Sequence, residues 1–113
     1  MVLVLAKDEC VRLTCAEVLT RSGVAAAPGE WPPQAGERSP DAIVVWEASE
    51  ADVAAIRAMH ADVPVVVCTW GREGRWPDSV AVVRLPFNAE RVARLVEHKV
   101  RETRKLSAAA SAH

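Results

Sequence analysis

Four runs of this chain are valine-rich and do not alternate with polar residues: "VLVLA" (2–6), "AIVVW" (42–46), "PVVVCTW" (64–70) and "VAVVRL" (80–85). A strand with one face in water alternates apolar and polar residues. A strand that is apolar throughout must be covered on both faces, and that is the condition of a parallel sheet sandwiched between helices. "VAAA" (24–27) is a shorter, weaker candidate for a fifth strand. This pattern limits the chain to a layered α/β architecture more tightly than any other feature it has.

The segments between the runs agree. Residues 8–22 place Val11, Cys15, Val18 and Leu19 on one helical face, and Gly23 follows as a C-terminal stop. Residues 49–61 open with Ser49 as N-cap and Glu50 and Asp52 in the first turn, with Val53, Ile56 and Met59 behind them. Residues 88–106 form a long helix with Asn88 as cap and Val92, Leu95, Val96 and Val100 inward, and 107–113 follow as a flexible tail. Two stretches resist a helix: "PGEWPPQAGERSP" (28–40) and "GREGRWPDS" (71–79), both interrupted by proline and glycine. The order predicts a flavodoxin-like, doubly wound five-stranded parallel sheet, strand order 2-1-3-4-5, with the second and fourth helices shortened or missing. In that architecture ligands sit at the carboxyl ends of the strands.

A length of 113 residues fits one domain, here 1–106. With half its residues hydrophobic and a formal net charge of −1, the chain is globular and has no global attraction for nucleic acid. The opening "MVLVLA" has no basic residue before it and is too short for a signal peptide or a membrane span. The expectation is a cytoplasmic protein. The three cysteines, Cys10, Cys15 and Cys68, make no Cys-x-x-Cys pair, and the three histidines are scattered. They predict reduced thiols filling small apolar spaces, and no zinc site or other cofactor.

Four segments, taken in order, resemble the receiver domain of bacterial response regulators. "VLVLAKDECVRL" resembles the family's opening strand and acidic turn. "SPDAIVVW" resembles the Pro-Asp lead into the phosphoacceptor strand, "PVVVCTW" the fourth strand with its terminal hydroxyl, and "RLPFN" the Lys-Pro-Phe segment. The likeness covers nearly the whole chain. It implies a site built from an acidic pair that binds a divalent cation, an aspartate that accepts phosphoryl, and a Thr or Ser and a Lys that hold the phosphoryl oxygens.

Carried over by position, the acidic pair becomes Ala6 and Lys7, and Asp8 survives only as a third acidic position. The acceptor becomes Trp46, the hydroxyl remains as Thr69, and the lysine becomes Leu85, although Pro86 and Phe87 follow it. Magnesium requires oxygen ligands in near-octahedral array, and an indole accepts no phosphoryl group. Glu47 does not substitute for the acceptor, because a one-residue slip would turn every side chain of the strand over. The aromatic switch position becomes Val82, and the small residue after the hydroxyl becomes Trp70. Trp46 and Trp70 are expected to fill the vacated space together.

The resemblance and its losses imply a degenerate pseudo-receiver: a protein–protein interaction module in bacterial signalling or regulation, independent of phosphorylation and not an enzyme. Its partner would be another signalling or regulatory protein, with no role for nucleic acid or membrane. The missing fourth helix argues against the standard receiver dimer. Arg72, Arg75 and Trp76 are the candidate partner-binding residues, since Trp and Arg dominate such surfaces. The alternative is a phosphorylation-independent sensor of a small ligand such as a nucleotide, suggested only by the Arg-x-x-Asp strings "RSPD" (38–41) and "RWPD" (75–78).

Overall fold

A computed structural model describes residues 1–32, 39–70, 76, 80–85 and 88–111, with side chains described through Leu106. The strands are β1 (Val2–Leu5), β2 (Ala26–Pro28), β3 (Ala42–Trp46), β4 (Val65–Thr69) and β5 (Val80–Arg84). The helices among the described residues are α1 (Glu9–Arg21), α2 (Glu50–Met59) and α3 (Ala89–Ser111). The sheet is parallel throughout, in the order β2-β1-β3-β4-β5, as the valine runs predict. The stretches 33–38, 71–75 and 77–79, on which the expectation of two lost helices rests, lie outside the described residues.

Strand alternation sorts the core into two halves. Ala42, Val44, Val66, Cys68, Val83 and Leu85 face α1 and α3, where they meet Cys15, Leu19, Val92 and Val96. Ile43, Val45, Val65 and Val67 face the other way, toward Val53 and Ile56 of α2. Only one helix stands on that second face among the described residues. Trp31 and Trp76 are half-buried there and pack against the same cluster.

Local chemistry sets the element ends. Asp8 caps α1, its Oδ1 accepting the Val11 N–H at 3.2 Å. Gly23, at φ 94°, takes the left-handed turn after the Ser22 cap that a side chain would disfavour. Ser49 and Asp52 form a reciprocal capping box on α2. Gly29 lies where a Cβ would come within 2.6 Å of Leu5, so a larger residue there would have to displace the tips of the Leu5 and Leu3 side chains.

Three details differ from expectation. Met59, expected to face inward, is 37% exposed, because α2 ends there and His60 is already its cap. Cys10 is exposed, while Cys15 and Cys68 are buried as expected. Helix α3 continues to Ser111, through residues expected to be a tail; the sequence there, "SAAAS", has no proline or glycine to stop it.

Candidate functional site

The carboxyl ends of β1, β3, β4 and β5 form one edge, and six positions singled out in the sequence lie along it. Ala6 is 2% exposed and contributes a methyl group. Lys7 leans sideways: its Nζ lies 3.7 Å from Asp52 of α2 and 5.8 Å from the centroid of the Trp31 ring. The ammonium thus meets one carboxylate and one aromatic face, an arrangement that sequence spacing alone does not reveal. Both contacts are solvent-accessible and weak individually. Asp52 is held below its ordinary carboxylate range, first by the Ser49 backbone N–H and to a lesser degree by Lys7. Asp8 is engaged in capping α1.

Trp46 ends β3 on the α1/α3 face, in step with Ala42 and Val44. Its ring is half-buried against the apolar cluster, and its Nε1 donates to Cys15 Sγ at 3.1 Å. Leu85 is 7% exposed and belongs to the same cluster. Leu85 is therefore part of the apolar core, and Trp46 packs against it. Burial pushes the Cys15 thiol up, an effect the Trp46 N–H partly offsets. Burial also pushes Cys68 up, to about 12, with Cys15 adding to it. Neither thiol is a nucleophile at neutral pH.

Trp70 does not join Trp46. It is 66% exposed. Strand β4 ends at Thr69, so the alternation that would turn residue 70 back to the face of Cys68 stops one residue short. Instead the Trp70 backbone N–H donates to Glu47 Oε1 at 2.7 Å. Glu47 itself sits at φ 49°, a left-handed conformation that costs a non-glycine residue energy and persists only where its surroundings hold it. The Glu47 N–H donates to the Cys68 carbonyl at 2.9 Å, which supplies part of that hold. Glu47 is thus a clamp between the turns after β3 and β4, a role sequence reasoning did not assign to it. Thr69 is half-buried beside it, and its carbonyl accepts the Leu85 N–H at 2.9 Å.

Of the candidate partner-binding residues, Arg72 and Arg75 lie outside the described residues. Trp76 is half-buried against the α2-face cluster, and its Nε1 is buried without a hydrogen-bond partner. Asp41, from the string "RSPD", lies at the opposite, amino edge of the sheet, bound to the Met1 ammonium and 3.9 Å from Arg104, and these cations lower its pKa. Arg38, Arg75 and Asp78 of the two strings lie outside the described residues. No group of three His, Cys, Asp or Glu side chains with metal-binding geometry exists among the described residues.

No family model and no curated protein matches the sequence. Solved structures do match in three dimensions. A response regulator receiver protein from Sinorhizobium medicae WSM419 superposes with a TM-score of 0.70 at 16% identity, over 91% of this chain and 96% of that one. The apo receiver domain of Nitrogen Regulatory Protein C gives 0.70 at 17% identity, over 90% and 94%. The fold is that of a receiver domain. NtrX from Brucella abortus, solved in complex with ADP, gives 0.72 at 18% identity over 97% of this chain, which spans only 28% of NtrX.

On the receiver fold, the cation and phosphoryl chemistry can be tested against the side chains present. An oxygen cage for a hard cation would need carboxylates where this chain has the Ala6 methyl, the Lys7 ammonium and the Trp46 indole. That donor set does not fit a magnesium ion.

Proposed function

We propose that this receiver-fold chain is a phosphorylation-independent module that docks another signalling or regulatory protein in the bacterial cytoplasm, and that it acts by shape and not by turnover. The observation that carries this reading is Trp46. At the acceptor position the chain has a ring packed into the core and hydrogen-bonded to a buried thiol. A side chain in that role contributes stability and a single conformation; it offers nothing to a phosphoryl donor. No described helix is long and apolar enough to cross a membrane, which is compatible with this location.

The proposed contact surface is the segment that follows β4. Trp70, at its start, presents an indole to solvent on a backbone held by the Glu47 carboxylate. A large, exposed aromatic whose backbone N–H is held is the type of group that anchors interfaces, and Arg72 and Arg75 follow it in sequence. Trp76 packs inward and serves as the control.

The test is a comparison of variants in affinity capture from the source cell lysate. Trp70→Ala combined with Arg75→Ala is expected to keep the circular dichroism spectrum and lose a protein that the wild type retains. Trp76→Ala is expected to lower the denaturation midpoint instead. Retention of every captured protein by the folded Trp70/Arg75 variant would remove this surface from the proposal.

A further inference from the structure

Helix α3 is 23 residues long, about 35 Å, and its later part outruns the body it packs on. Val92 and Val96 are buried, Val100 and Thr103 half-buried, and Arg104, Lys105 and Leu106 exposed. Leu106 is 73% exposed, the most exposed large hydrophobic residue described. Counting back from it in steps of four, three and four gives Glu102, Lys99 and Leu95, a stripe along one side of the helix. Leu95 lines an open groove of about 660 Å³ between α3 and the β5 edge, with Ala81, Val82, Asn88, Arg91 and Arg94.

The stripe reads Leu-Lys-Glu-Leu, and it is complementary to itself when reversed. Two copies of α3 laid antiparallel, with a two-fold axis midway between Lys99 and Glu102, bring Leu106 of each onto Leu95 of the other. The same axis sets Lys99 of each copy opposite Glu102 of the other. No like charges face each other along the stripe. Within one chain Lys99 and Glu102 already pair at 3.4 Å, so both side chains are held on this side of the helix. The register has a second consequence. The last turn of α3 contains no basic residue to meet the negative end of the helix dipole. The antiparallel partner places Arg91 and Arg94 beside that end.

We propose that this face of α3 is an interface with a second copy of the chain: an isologous, antiparallel helix pair in which Leu106 enters the partner's groove at Leu95. Its occupant is fixed by self-complementary charge and by an apolar residue, Leu106, that is 73% exposed. The pairing does not depend on the docking function proposed above.

Sedimentation equilibrium from about 10 µM to about 1 mM, the range of weak association, tests it. The wild type is expected to show a reversible monomer–dimer equilibrium. Leu106→Asp, at an exposed site, is expected to keep the fold by circular dichroism and weaken the dimer at least about tenfold. Lys99→Glu and Glu102→Lys alone should each weaken it, and the two together, which restore both the internal and the cross-dimer pairs, should recover it. A wild type that remains monomeric throughout, a dimer insensitive to Leu106→Asp, or a charge swap that fails to recover association would each overturn the proposal.

Discussion

Trp46→Ala is expected to lower the free energy of unfolding by about 3 kcal/mol, the low end of the range for truncating a large packed aromatic. The ring is half-buried, so the loss falls below that of a fully enclosed tryptophan. What is lost is its packing on the α1/α3 cluster and the N–H contact to Cys15, in a place where Ala6, Cys68 and Leu85 hold their positions as parts of the sheet edge. Trp46→Phe separates the two contributions. It keeps most of the packing and removes only the donor to a weak sulfur acceptor, so it should cost about 1 kcal/mol or less. Urea denaturation followed by circular dichroism measures both. A midpoint unchanged by Trp46→Ala would mean that the ring is not part of the core, and Trp46 would then join Trp70 as a contact residue.

Alkali is expected to destabilise the protein through its buried thiols. The folded pKa of Cys68 is raised from the ordinary 9.0 to about 12, chiefly by burial, and that of Cys15 is raised for the same reason. In the unfolded chain both ionise near the ordinary value. Well below pH 9 the folded and unfolded states bind the same protons at these groups, and stability is unaffected. Above it the unfolded state releases protons that the folded state retains, and stability falls until the folded pKa is reached. For Cys68 the loss by about pH 10.5 is roughly 2 kcal/mol. The chain has no tyrosine to titrate in the same range. Denaturation midpoints measured between pH 8 and about pH 10.5 should fall steeply in the wild type and less steeply in Cys68→Ala. At pH 8 a thiol reagent should modify exposed Cys10 in the native protein and all three cysteines only after unfolding. Equal reactivity of the three in the folded state would refute the burial on which the alkaline effect rests.

The sheet was legible in the sequence because its signal is redundant. Each of β1, β3 and β4 is a valine run packed between two apolar layers, and β5 is a fourth run that carries the pattern to the sheet edge, where Val82 is exposed. The helix starts were legible for a similar reason: Ser49 and Asn88 are side chains whose chemistry is local, and each caps the helix that follows it. What could not be read were contacts between segments far apart in sequence. Lys7 was read as standing at a lost metal-ligand position, but its place beside Asp52 and over Trp31 depends on how two loops meet the first turn of α2. Trp70 was expected to share a face with Trp46. The strand stops at Thr69, and Glu47 captures the next N–H, which no periodicity forecasts. Leu85 was read as a lost lysine; the structure places it in the same apolar cluster as Trp46.

Under the proposed reading a single reversion is expected to fail. Trp46→Asp would place a carboxylate next to Cys15, with Lys7 where the cation-binding acid would stand and Leu85 where the lysine would stand. A carboxylate placed there without its metal and its lysine is an uncompensated charge against apolar core.

The most direct measurement is the intact mass of the folded protein after incubation with acetyl phosphate and magnesium. The wild type is expected to keep its unmodified mass, and Trp46→Asp is expected to keep its own. A stoichiometric increase of one phosphoryl group on the wild-type chain would contradict the account at its centre.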